Sequence, residues 1–83
     1  MEKELGKVFK YFRKPKVAAI KIEEGPLEVG DTIRFKGENT DFEQEVESME
    51  IEGTDVEKVE SGDEVGIKVK ERVRSNDKIL KIE

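Results

Sequence analysis

The sequence contains no cysteine, no histidine and no tryptophan, and only 2 prolines in 83 residues. The first two absences exclude disulfides, thiol nucleophiles, the usual zinc ligand sets and every histidine-based triad or general base. Carboxylates, lysines, a few hydroxyls and the single tyrosine, Tyr11, are what remains for chemistry. No apolar run approaches the roughly 20 residues that cross a bilayer as a helix. Met1-Glu2-Lys3-Glu4 also lacks the basic-then-apolar layout of an export signal. The expectation is a soluble cytoplasmic protein with no membrane segment, no metal and no cofactor. Many Lys and Glu residues beside one Gln, Gln44, resemble a thermophilic composition.

What is present is charge, at 45% of residues against 34% hydrophobic, a balance that taken alone suits a disordered chain. The apolar residues nevertheless alternate cleanly, which predicts a single folded domain over 1–83. The charge is segregated. Residues 7–16 carry five bases and no acid, residues 38–64 carry twelve acids and one base, and residues 65–83 carry six bases and three acids. The net charge of -5 therefore describes no one surface.

Three segments share one pattern of turn residue, aspartate, spacer and β-branched aliphatic: Gly30-Asp31-Thr32-Ile33, Gly62-Asp63-Glu64-Val65 and Asn76-Asp77-Lys78-Ile79. Gly and Asn tolerate positive φ, and Asp bonds its local backbone, so each predicts a turn that delivers the chain into a strand. The aspartates are read as turn residues rather than catalytic ones. Further strands are predicted at Leu5–Phe12, ended by Pro15, and at Val17–Glu23. In the first, Val8, Lys10 and Phe12 share one face, and Phe9 and Tyr11 the other. Thr32–Lys36 alternates with Ile33 and Phe35 inward. Phe42–Ile51 reads as one long strand whose parity changes partway, which predicts a β-bulge near Glu47-Ser48. Val56 and Val59, three apart, suit a turn or helical kink. Val65–Lys70 and Ile79–Ile82 complete an all-β pattern of six or seven short strands, for which a small closed barrel is expected.

The passages Val17–Ile22, Gly25–Ile33, Val46–Ile51, Ser61–Val69 and Arg74–Asp77, in that order, resemble domain II of translational GTPases such as elongation factor Tu. They are also similar to the C-terminal barrel of collagenase-like peptidases. The resemblance covers Gly6 to Ile82 and implies a six- or seven-stranded antiparallel Greek-key barrel, which in those factors contacts the GTPase domain, the ribosome or the acceptor end of a charged tRNA. The phosphate loop and guanine-recognition motif of such GTPases have no counterpart here, so no GTP site is expected.

Lys7, Lys10, Tyr11, Phe12, Arg13, Lys14 and Lys16 form the first candidate site. Basic side chains would hold phosphates while Phe9, Tyr11 or Phe12 stack on an unpaired base. Arg34, Lys36, Lys68, Lys70, Arg72 and Arg74 form the second, and the last four share strand parity. The competing reading makes both sets ordinary solvated surface around a filled barrel end. The acids of 38–64 match no oxygen-ligand loop and read as a solvating face. A non-enzymatic, translation-factor-like RNA-binding module is the leading expectation. The alternative is a protein–protein interaction module that partners a separate enzyme or ribosomal protein.

Overall fold

A computed structural model describes residues 2–83. They form ten strands and no helix: β1 Glu2–Phe12, β2 Val17–Ile22, β3 Leu27–Glu28, β4 Thr32–Lys36, β5 Asp41–Glu45, β6 Met49–Ile51, β7 Thr54–Val56, β8 Lys58–Val59, β9 Glu64–Lys68 and β10 Lys78–Ile82. Eight make one sheet in the order β5-β4-β10-β1-β2-β9-β6-β7, and β3 and β8 make a separate ribbon. Every ladder is antiparallel. The backbone ladders leave β5 and β7 as the two ends of the sheet. The core is aliphatic, built from Leu5, Val8, Ile20, Ile22, Ile33, Met49, Ile67 and Ile79 around Phe35. Phe42 stacks on Phe35 from the neighbouring strand with ring centroids 5.1 Å apart, tying β5 to β4.

The three sequence repeats are one structural unit used three times. In each, the aspartate amide donates to the carbonyl three residues back: Asp31 to Glu28, Asp63 to Glu60 and Asp77 to Arg74, at 3.0–3.1 Å. The amide of that earlier residue donates to the aspartate carboxylate in return, at 2.9 Å for Glu28, 2.8 Å for Glu60 and 2.8 Å for Arg74. The residue before each aspartate has positive φ (Gly30 99°, Gly62 96°, Asn76 76°), the conformation that favours Gly and Asn. Each turn then clasps a buried aliphatic from elsewhere in the chain. Gly30 donates to the Val46 carbonyl and Val46 donates to that of Asp31; Gly62 and Asp63 hold Ile22 in this way, and Asn76 and Asp77 hold Val8. Thr32, Glu64 and Lys78 follow as the first residues of β4, β9 and β10.

Three local expectations are corrected. The stretch 42–51 is two strands rather than one bulged strand. Val46 is buried and clasped at the corner, and β5 and β6 then join opposite ends of the sheet. Val56 and Val59 lie on two short strands, β7 and β8, instead of a kink. A tight hairpin at Glu52-Gly53, with φ of 51° and 79°, reverses β6 into β7, as positive φ at both central positions allows. Simple alternation also fails in β1. Leu5 is an extra residue against β10, and Phe9 is an extra residue against β2. The inward side chains are therefore Leu5, Val8 and the partly buried Tyr11, while Phe9 and Lys10 both point outward between them.

Candidate nucleic-acid interface

The register of four adjacent strands places four lysines in one row. Lys21 of β2 faces Lys7 of β1, Lys7 faces Lys78 of β10, and Lys78 faces Lys36 of β4. Directly paired residues share a sheet face, and all four are exposed. Three inter-strand steps give a row about 14 Å long, at roughly 4.8 Å per step. Acids close both ends, with Glu64 opposite Lys21 and Asp41 opposite Lys36. Two of the lysines have loose partners: Lys21 lies 3.8 Å from Glu64 and Lys78 lies 3.7 Å from Glu4. Among the described residues no carboxylate comes within ion-pair distance of Lys7 or Lys36. Like charges opposite one another destabilise a sheet, so the row costs the fold stability.

Phe9 stands beside this row. The bulge that leaves it unpaired turns it to the face that carries Lys7 and Lys10, where it is 50% exposed. Its carbonyl accepts a hydrogen bond from Ser75 Oγ at 3.3 Å, next to the Asn76–Asp77 turn that clasps Val8. That turn and the loop after β4 form the two walls of a cleft of about 580 Å³, into which Lys36, Lys78 and Arg74 bring positive charge. Asn39 and Ser75 add neutral donors, and Glu38 and Asp77 line the same cleft. Asp77, 5% exposed, is held by the Arg74 amide and abuts Gly37, where any Cβ would collide with its carboxylate.

The sequence-predicted site residues divide into groups. Lys7 and Lys36 join the row, and Arg74 joins the cleft. Lys10 lies over the Phe12 ring at 5.0 Å, a cation–π contact, and Arg13, Lys14 and Lys16 are exposed in the turn before β2. Tyr11 packs against the core, which leaves Phe9 and Phe12 as the exposed rings of β1. Arg34 is engaged: its guanidinium donates to both carboxylate oxygens of Asp41 at 2.7 and 2.8 Å and to Glu2 at 2.7 Å. Those bonds, to Asp41 first and then Glu2, push the arginine pKa further up, and they hold the Asp41 carboxyl below its usual range. Lys68, Lys70, Arg72 and Arg74 do not form one stripe, because β9 ends at Lys68 and the chain turns irregular. The two basic segments do meet in the backbone, where Val69 donates to the Lys16 carbonyl at 3.0 Å.

On the same outer face, Ala19 and Gly66 are paired small residues that floor a shallow trough of about 460 Å³. Phe12 and Val17 wall one side, and Glu50, Glu52 and Glu64 lie on the other. Among the described residues no group of three or more acids is arranged to hold a metal ion. No helix among them is long and apolar enough to cross a membrane.

No protein-family model matches the chain. It is similar to a collagenase of Porphyromonas gingivalis, 40% identical over 80 residues, covering 95% of this chain and 22% of that protein. A shorter stretch of 55 residues is 42% identical to elongation factor 1-alpha of Methanopyrus kandleri, covering 60% of this chain and 13% of the factor. The fold matches the C-terminal domain of a Geobacillus thermoleovorans protein described as a U32 peptidase, with a TM-score of 0.90, 21% identity, and 98% and 93% of the two chains covered. The chain thus spans under a quarter of the length of the curated relatives it matches. The collagenase-like side of the expected resemblance extends over nearly the whole chain, and the elongation-factor side over the shorter part.

Lys21 and Lys78 were not among the predicted residues. Each looks like an ordinary strand lysine in its own segment. Only the register across β2, β1, β10 and β4 reveals them as neighbours.

Proposed function

We propose that this domain is a non-catalytic accessory module that grips single-stranded RNA, in a tRNA or the ribosome, across the lysine row. We also read the fold as a small barrel, closed at its seam by a side chain rather than a backbone ladder. The observation that carries the functional reading is the Phe9 bulge. It sets an exposed aromatic ring beside four register-paired lysines, and base stacking with backbone neutralisation is how sequence-tolerant single-strand binders work. A β-bulge is a recurrent device for re-aiming a side chain at a site. The partial similarity to an elongation factor supports a place in translation. Matching only part of a larger collagenase supports an accessory role.

The test is fluorescence anisotropy of labelled single-stranded RNA over a range of salt concentrations. If all four lysines neutralise phosphates, log K should fall against log salt with a slope of roughly −3 for a single strand. Replacing Lys7 and Lys36 with Gln should flatten that slope, and Phe9→Ala should weaken binding with the slope unchanged. Absence of binding at low salt would sink the reading.

A second reading has its own observation, the Ala19–Gly66 trough with its acidic rim. It supports docking of a protein partner that presents apolar and basic side chains, within a larger peptidase-like assembly. Phe12→Glu would abolish that contact and leave RNA affinity at the row little changed.

A further inference from the structure

The lysine row does not run on indefinitely, and the way it stops is informative. Beyond Lys36 the next strand presents Asp41, Glu43 and Glu45, so a polyanion cannot continue over β5. At this same end the row opens into the cleft between the loop after β4 and the 74–77 turn. Each strand of the row contributes a single lysine, and at the cleft Arg74 joins the last two of them. At the cleft three cations converge from separate elements: Lys36 at the end of β4, Lys78 at the start of β10, and Arg74 in the turn. Arg74 and Lys36 have no carboxylate within ion-pair distance among the described residues, and the Asp77 carboxylate is turned to the Arg74 amide. The Ser75 hydroxyl and the Asn39 amide lie in the same walls, and Ser75 bonds the backbone of Phe9. The backbone of Phe9 is therefore tied to one wall of the cleft, and its exposed ring stands on the strand beside it.

From this placement we infer that the cleft seats a terminal phosphate monoester of a nucleic-acid strand, whose last base stacks on Phe9. The inference rests on the RNA reading above. A terminal monoester carries about −1.5 to −2 charge at neutral pH and three acceptor oxygens, against one charge on an internal diester. Three cations outnumber the two acids of the lining, Glu38 and the amide-bonded Asp77, and a site of that balance at the end of the track suits the former.

The experiment compares three versions of one short single-stranded RNA, with a 5′-phosphate, with a 3′-phosphate, or with hydroxyls at both ends. Each is titrated against the 83-residue chain and against a Lys36→Gln/Arg74→Gln variant and a Lys21→Gln variant. Circular dichroism and thermal unfolding check that all three proteins are folded. One phosphorylated form should bind roughly tenfold tighter than the hydroxyl form, the scale of one or two charge-assisted hydrogen bonds. Which form it is identifies the end that is seated. The preference should vanish in the double variant, whereas Lys21→Gln should weaken all three RNAs by the same factor. Equal affinity for all three RNAs would overturn the inference and leave the RNA reading standing. A preference that survives in the double variant would overturn the assignment to this cleft. No binding of any RNA would overturn both.

Discussion

The side chain of Gln44 bonds the backbone of Lys70 across a gap in the sheet. Its Oε1 accepts from the Lys70 amide at 2.9 Å, and its Nε2 donates to the Lys68 carbonyl at 2.9 Å. β5 lies at one end of the strand order, and Lys68 ends β9 near the other. A primary amide presents an N–H donor and a carbonyl acceptor side by side, the pair that a neighbouring strand would offer. Replacing Gln44 with Ala should lower stability by about 1–2 kcal/mol, the scale of two lost hydrogen bonds at a partly solvated site. Gln44→Glu should cost more at neutral pH, because a carboxylate would face the Lys68 carbonyl with no proton to donate. Chemical denaturation of the two variants measures both effects.

The three aspartate turns provide an internal comparison. Asp31, Asp63 and Asp77 each accept an amide in the same geometry, yet of the three only Asp77 is buried, at 5% exposure. An amide left without a partner costs more where water cannot replace it, about 1–3 kcal/mol. Asp77→Ala should therefore destabilise most of the three in thermal unfolding. Asn76→Gly should be tolerated, since φ of 76° suits glycine.

Acid should loosen the Arg34 cluster in a predictable direction. Hydrogen bonds from Arg34 hold the Asp41 carboxyl below its unfolded value of about 3.9. A depressed folded pKa contributes stability that is fully present above the unfolded value and is lost as pH falls through the folded one. Asp41→Asn should thus be less stable than the parent at neutral pH. The gap should close in the acid limb of a pH titration followed by circular dichroism.

Turn chemistry is local, which is why Gly30-Asp31, Gly62-Asp63 and Asn76-Asp77 were legible as strand entries from the sequence. The parity change between Val46 and Met49 was legible too, but its outcome was not. Whether the chain bulges or leaves one strand for another depends on which carbonyl meets the Val46 amide, here that of Asp31. The outward turn of Phe9 was hidden for a similar reason, because a bulge is defined against the partner strand and not within its own. The lysine row lies furthest from the sequence. Its members are separated by up to 71 positions and meet only through three ladders, so composition marked the basic segments without assembling the site.

That row yields an opposed pair of effects at Lys7. It stands between Lys21 and Lys78, both of like charge, and cross-strand pairs of this kind cost roughly 0.2–1 kcal/mol each. Lys7→Glu should therefore raise stability at low ionic strength by up to about 2 kcal/mol. At 1 M salt, where the screening length is about 3 Å, the gain should shrink toward zero. If the row exists to hold phosphates, the same substitution should weaken RNA binding, since it places a carboxylate in the middle of the track. Unfolding curves and RNA titrations on one protein preparation measure both signs. A variant that loses both stability and binding would point to a structural role for Lys7, and one that gains stability while binding RNA as before would remove the row from the interface.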